Sequence, residues 1–277
     1  GLLTTIGLFA HLMITWCGPL GIKVKGLFYG APYYDVPAML AFLTILITTV
    51  NFVVSVEVNF YPTYRSYYSL VNYGGTIKDI TVAENEMLAV LNRELHYTAL
   101  KQLLVTAAVI SLEKTVLNAL PLGFSDVMHG YFRVLCVGYA LYAVGNTVML
   151  ILLYFNDDSG ALTASALFAG STVVFTVIGQ FFTTSLFGFG FLMGASLFAI
   201  YATFRLASYT DNLPYRVLGQ QPIVAQTKRG RFTELGILLE HGEQRVDQSL
   251  HRSGHARSSD KANIAETDVI IGRNRKS

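Results

Sequence analysis

The chain has 277 residues, of which 52% are hydrophobic and only 14% charged, with a formal net charge of +2 and a mean hydropathy of +0.45. Soluble domains carry about 25% charged residues, so this composition belongs to a membrane protein and not to an ordinary soluble enzyme. Half of the Lys and Arg residues follow Gln221. The residues before it are therefore poorer still in charge, and no dense basic patch is present to hold nucleic acid.

A helix needs about 20 mostly apolar residues to cross a bilayer. Six runs satisfy this, at Leu2–Leu20, Val36–Val56, Ala99–Leu122, Phe132–Phe155, Ala161–Phe182 and Leu186–Ser208. They are too long and too uniformly apolar for barrel strands. The fold class that follows is an all-α polytopic membrane protein of about six transmembrane helices. The first run carries His11 and Trp16, and no basic stretch precedes it. Residue 1 is Gly, so the run does not read as a signal peptide and an upstream portion is expected. Asp35 and Pro37 open the second run, with Pro37 expected in its first turn, where proline is tolerated. Cys17 and Cys136 lie in apolar runs and are expected to be small buried hydrophobes, with no disulfide framework and no metal motif.

The segments between the runs differ in character. Gly21–Tyr34 is a Gly-rich, aromatic loop. Residues 58–98 form the one large loop before the tail, and Phe60, Tyr61, Tyr64, Tyr67, Tyr68 and Tyr73 crowd its first part. Within it, Thr81-x-x-Glu84 has the form of a capping box, and Ile80, Met87, Leu88, Leu91 and Leu95 fall on one helical face. The spacing predicts an amphipathic helix over Thr81–Tyr97 that runs into the third apolar run, either docking a partner or serving as a cytoplasmic extension of that helix that packs on its neighbours. Asn156–Gly160 is a sharp polar turn. The short link before Leu186 predicts an antiparallel hairpin of the last two runs. Residues 209–277 form a polar tail, mostly disordered by composition, with a weak helical pattern at Thr233–Leu250 and with His241, His251 and His255 too loosely spaced for a metal site.

Positive residues set orientation. Arg65, Lys78, Arg93, Lys101, Arg205, Arg216 and the basic tail fall on one side, against Lys23, Lys25 and Arg133 on the other. The first side, with the C-terminus, is expected to be cytoplasmic. The chain then divides into a helix pair (1–57), a cytoplasmic aromatic loop and helix (58–98), four further helices (99–208) and the tail (209–277).

No Walker loop, dinucleotide fingerprint, nucleophile elbow or zincin pair is present. No enzyme activity or cofactor is expected, and any transport draws on a gradient or a partner. Ionisable residues inside apolar runs mark sites, because they are costly in lipid and face a cavity or a partner. Glu113 and Lys114 sit about halfway along the third run, some 100° apart on a helix, so each is expected to find its partner on another helix. Glu57 lies where the second run meets the interface, and Arg65 follows eight residues later on nearly the same stripe. His11, Asn51, Asn146 and Gln180 are milder cases, more often interhelical hydrogen-bonders than ligands. The tyrosines suit an interfacial belt with Trp16, or a path on which sugar rings stack. Gly188-Phe189-Gly190-Phe191 permits close packing or a flexible gate.

Several segments taken in order resemble one family. They are Ala31-Pro32-Tyr33-Tyr34-Asp35, Phe52–Tyr61 leading into Tyr64-Arg65-Ser66-Tyr67-Tyr68, Gly74-Gly75-Thr76, Leu153–Asp158 with Gly160-Ala161, and Gly188–Phe191. The set, spanning about residues 1–222, is similar to the C-terminal half of the Pel exopolysaccharide transporters (PelG), placed among multidrug, lipid-linked oligosaccharide and polysaccharide flippases. The Glu113–Lys114 pair and the tail depart from that pattern. The resemblance implies one lobe of a MATE-like, two-lobe transporter in the bacterial inner membrane, with an N-terminal lobe upstream. It implies a polysaccharide substrate, an amino-sugar polymer delivered by a cytoplasmic glycosyltransferase. It also implies other inner-membrane Pel proteins as partners, one responsive to cyclic-di-GMP. A polycationic glycan favours acidic and aromatic lining, so the implied path or gate takes Glu57, Arg65, Tyr61, Tyr64, Tyr68 and Glu113, with Lys114, Asn146 and Gln180 as intramembrane candidates. Two rival readings stand beside it: an ion-coupled exporter of lipid-linked oligosaccharides or drugs, and a non-transporting scaffold for a polysaccharide synthase.

Overall fold

The computed structural model describes residues 1–26, 28–119, 121, 123–182, 187–211 and 213. In chain order it contains α1 (Leu2–Trp16), strands β1 (Ile22–Lys25) and β2 (Phe28–Gly30), and α2 (Pro32–Ser55). A π-turn (Val56–Phe60) then leads to α3 (Tyr61–Tyr73), followed by α4 (Ile77–Ala119), α5 (Asp126–Tyr154), α6 (Asp158–Gln180) and α7 (Phe189–Thr210). Five helices, counting α2 through α3 as one, are long and apolar enough to cross a membrane, and α1 is a shorter apolar helix. The chain is a multi-pass membrane protein.

Local chemistry sets the boundaries. α1 stops at Trp16, short of the expected Leu20, because Gly18 and Pro19 follow and proline cannot continue a helix. The segment expected to be a loop pairs instead as an antiparallel hairpin, Ile22 opposite Gly30 and Lys23 opposite Tyr29, turning at Gly26 with φ +62°. Pro32, and not Pro37, is the opening proline of α2; Pro37 lies inside the helix. Asp35 fastens this corner. Its carboxylate accepts the Trp16 indole N–H at 2.9 Å and the Ala31 backbone N–H at 2.8 Å. Cys136 is buried as expected, but Cys17, at the end of α1, is exposed.

α4 is continuous across the amphipathic segment and the third apolar run, as the sequence predicts. It is a helix of 43 residues, about 64 Å long at 1.5 Å per residue and thus about twice the hydrocarbon thickness. Its cap is Thr76, whose hydroxyl accepts the Asp79 N–H at 3.2 Å and donates to the Asp79 carboxylate at 2.6 Å. Thr81 is already helical, its hydroxyl donating to Ile77 O at 2.9 Å. Of the expected apolar face, Met87 and Leu91 are buried. Gly74, with φ +91°, ends α3 and makes the turn between α3 and α4.

The remaining helices alternate in direction. α6 and α7 form the expected antiparallel hairpin, with Gly190 packed so closely on Thr176 that an added Cβ would meet the Thr176 Cα at 2.6 Å. Gly190 thus provides close packing, whereas Gly188 takes a left-handed φ of +94° at the start of α7. α5 runs parallel to α7, with Gly145 against Phe198, and parallel to α2, with Tyr34 beside Tyr131 and Phe42 beside Tyr139. The core sits between these helices around Leu135, Tyr139, Phe168, Phe191 and Phe198. Residues 214–277, with Thr233–Leu250, His241, His251 and His255, lie outside the described residues.

Candidate transport site

The π-turn has a local cause. A proline inside a helix lacks the N–H that would bond to the carbonyl four residues back, and its ring clashes with that carbonyl. For Pro62 that carbonyl belongs to Val58, in the middle of the π-turn. Single π-turns of this kind recur at functional sites. The wider turn buries Val56 and Phe60 and leaves Glu57, Val58 and Asn59 outside, with Tyr61 42% exposed just beyond.

A carboxylate on α4 holds the turn from its inner side. Glu94, 8% exposed, accepts the Ser55 hydroxyl and the Asn59 amide, the latter at 3.2 Å. Arg93 Nε stands 3.5 Å from the same carboxylate. Hydrogen bonds to a charged acceptor are about twice as strong as neutral ones, so Glu94 clamps both flanks of the turn.

Past the turn, the aromatic side chains divide. Tyr64 and Tyr68 are half-buried, their ring centroids 4.5 Å apart. Tyr64 donates its hydroxyl hydrogen to Tyr154 O at 3.0 Å, which binds α3 to the end of α5. Phe60 meets Tyr64, Tyr154 and Phe155 edge-on or tilted. Much of the cluster therefore packs α3 onto α5, and among its described side chains Tyr61 is the exposed one. Glu57 and Arg65 are both exposed and do not pair with each other.

The same end of the bundle carries a second charged cluster. Arg205 on α7 donates to Asp157 through Nε at 2.7 Å and NH2 at 2.8 Å. Asp157 also caps α6, accepting Gly160 N–H and the Ser159 hydroxyl. The Arg205 guanidinium holds the Asp157 carboxyl below the usual carboxylate range, against the opposing effect of burial. Asn156 takes a left-handed φ of +61° to make this turn, and Tyr209 donates to Phe155 O at 2.8 Å. Four elements thus meet at the end of α5.

Between these clusters and the opposite end, α4 turns a polar stripe inward. Its buried residues from Glu94 onward are Thr98, Gln102, Thr106, Glu113 and Leu117, while Leu100, Leu103, Leu104, Leu112 and Val116 are exposed. That arrangement suits a lipid-facing helix. Glu113 lies in the last two turns of α4, which begins at Ile77. It is buried and pairs with Arg133 on α5, Nε at 2.5 Å. The expected partner on another helix is therefore present for Glu113, whereas Lys114 is exposed. Gln180 donates to Ile14 O at 2.6 Å, joining α6 to the end of α1. Asn146 is half-buried on α5 and Asn51 exposed on α2. The structure thus brings Glu57, Tyr61, Tyr64, Arg65 and Tyr68 to one end of the bundle, and puts Glu113, Lys114 and Gln180 near the other.

Sequence reasoning missed Glu94, Arg133, Asp157 and Arg205 as interacting groups. Only Glu94 had a usable signal, its place in the Met87–Leu91–Glu94–Thr98–Gln102 stripe. A groove of about 420 Å³ runs between α4, α5 and α7, lined by Leu95, Ala99, Val144, Val148, Thr203 and Leu206 among others. None of the expected site residues lines it. Among the described residues no three His, Cys, Asp or Glu side chains group to hold a metal.

The chain matches the PelG family, described as "Putative exopolysaccharide Exporter (EPS-E)", over residues 1–218. No curated protein and no solved structure matches it.

Proposed function

Because the chain belongs to the PelG family, we propose that it exports an exopolysaccharide across a bacterial inner membrane as one lobe of a two-lobe, flippase-like transporter. The family match over residues 1–218 carries this reading. The cargo is a Pel-type amino-sugar polymer. The π-turn is the cytoplasmic mouth, where exposed Glu57 meets the cationic chain by charge and Tyr61 offers a ring face to the sugars, with an edge for hydrogen bonding. Arg65, also exposed, shapes the field at the mouth. Tyr64 and Tyr68 hold α3 in place behind it.

The long helices give the mouth a neighbourhood. α4 exceeds the membrane thickness, and its first half is polar while its second half is apolar. α3 and the start of α4 therefore project from the cytoplasmic face as a helical hairpin. This hairpin is the landing place for the glycosyltransferase that makes the polymer and for other inner-membrane Pel proteins, one of them cyclic-di-GMP-responsive. Residues 1–57 and 99–208 form the membrane part, 58–98 the mouth and hairpin, and 209–277 a cytoplasmic tail. An upstream lobe completes the cavity.

Replacing Glu57 by Gln in the native strain tests the reading. Secreted polysaccharide should fall about tenfold, which corresponds to 1.4 kcal/mol of lost interaction, while the protein remains in the membrane with its partners. Unchanged secretion would remove Glu57 from the path.

A further inference from the structure

We infer that the groove between α4, α5 and α7 is a binding site for a phospholipid with an amino head group, drawn from the leaflet at the π-turn end of the bundle. The inference stands on the groove itself and holds whatever cargo the protein carries. α4 and α7 both pack on α5 and leave about 420 Å³ between them, inside the range of about 300–1,000 Å³ that small-ligand sites occupy. The wall is apolar, made by Leu95, Ala99, Val144, Val148, Leu206 and Ala207. Its threonines add little polarity: Thr203 donates its hydroxyl to Ala199 O at 2.8 Å and Thr210 to Ala207 O at 2.9 Å, both carbonyls of their own helix. Leu100 and Leu103 on α4 and Ile200 and Phe204 on α7, each more than half exposed, flank the groove. Large apolar side chains exposed together mark a surface that meets lipid or protein, so the deep half of the groove opens on acyl chains and not on water.

An acyl chain in such a groove gains little over its neighbours in the bilayer, because lipid tails are as apolar as leucine. Selection has to come from the rim. There Asp211, at the end of α7, and Asn92 and His96, one turn apart on α4, line the same groove. His96 Nδ1 is 2.7 Å from Asn92 O. A carbonyl oxygen only accepts, so Nδ1 carries the hydrogen and the neutral ring leaves Nε2 as an acceptor. Asp211 is exposed and adds a carboxylate, which only accepts. The arginine of α7, Arg205, is taken by Asp157 at 2.7 Å, and among the described residues that line the groove there is no Lys or Arg. The rim is therefore a set of acceptors with one negative charge. It matches an ammonium head, which brings three donors and a positive charge, and it repels a head that is only anionic. An ethanolamine phospholipid carries that ammonium, and a glycerol phospholipid does not.

The test is photolabelling of the purified full chain in liposomes. Ethanolamine and glycerol phospholipids carrying the same photoreactive acyl chain are compared at equal mole fraction, and labelled residues are located by mass spectrometry. The wall at Leu95, Ala99, Leu206 and Ala207 should take about three- to fivefold more label from the ethanolamine lipid, as one exposed ion pair permits. Outward-facing Leu103 should take label equally from both. Asp211→Asn, a change at an exposed position, should bring the wall close to parity. Ala99→Trp, which fills the groove, should abolish labelling of Leu206 and Ala207 and leave Leu103 unchanged. Absence of label on the wild-type wall, equal labelling there by the two lipids, or a preference that survives Asp211→Asn would overturn the inference.

Discussion

Single side chains in this protein act across long stretches of sequence. Asp157 and Arg205 are 48 positions apart, yet together they tie α5, α6 and α7 at one corner. Breaking a buried ion pair by removing one partner costs ~3–5 kcal/mol. Because the Arg205 side chain is 28% exposed, the lower end applies, and Asp157→Asn should cost about 3 kcal/mol. The pH dependence has a definite sign. The Asp157 carboxyl is held below its usual range, so its stabilisation is complete above the unfolded carboxylate value of about 3.9 and is lost as pH falls through the lower folded value. Melting curves should therefore show Asp157→Asn lower at pH 7 and converging with wild type in acid. Parallel curves down to pH 3 would contradict that assignment.

At the scale of elements, the π-turn joins two stretches of helix that serve different ends. α2 spans, while α3 presents the mouth. Pro62→Ala restores the missing N–H and removes the clash with Val58 O, so the turn should relax to regular α-helix and rotate α3 by roughly a quarter turn. Tyr64 then loses Tyr154 O, and Tyr61 swings away from Glu57. The variant should melt no lower than wild type and secrete several-fold less polysaccharide; normal secretion would mean the turn is incidental. The long helices themselves were legible, because about 20 apolar residues admit little else. The continuation of the amphipathic segment into the third apolar run was legible too. The hairpin Ile22–Gly30 was not, because it has too few residues for a strand period to show. The capping signal misled as well: Thr81-x-x-Glu84 has the right spacing, but Thr76 caps α4 one turn earlier and Thr81 lies inside the helix.

At the scale of the whole molecule, the bundle sorts its polar groups by depth. Glu57, Asn59, Glu94, Asp157 and Arg205 gather at one end, and Glu113, His129, Arg133 and Asp35 at the other, joined by the inward stripe of α4. Glu57 and Glu113 stood out in the sequence because an acid inside an apolar run or at its edge is visible there. Their surroundings were not visible. Glu94, Arg133 and Arg205 act through helices 20 to 48 positions distant, and one sequence carries no record of which helix faces which. Site-specific photocrosslinking in secreting cells tests the central claim most directly, with the crosslinker placed at Tyr61 and, as a control, at the exposed Leu103 of α4. Polysaccharide should be captured at Tyr61 and not at Leu103, and capture should vanish when polymer synthesis stops. Secretion that continues with no capture at Tyr61, or with equal capture at both positions, would contradict the claim that the polymer enters beside the π-turn.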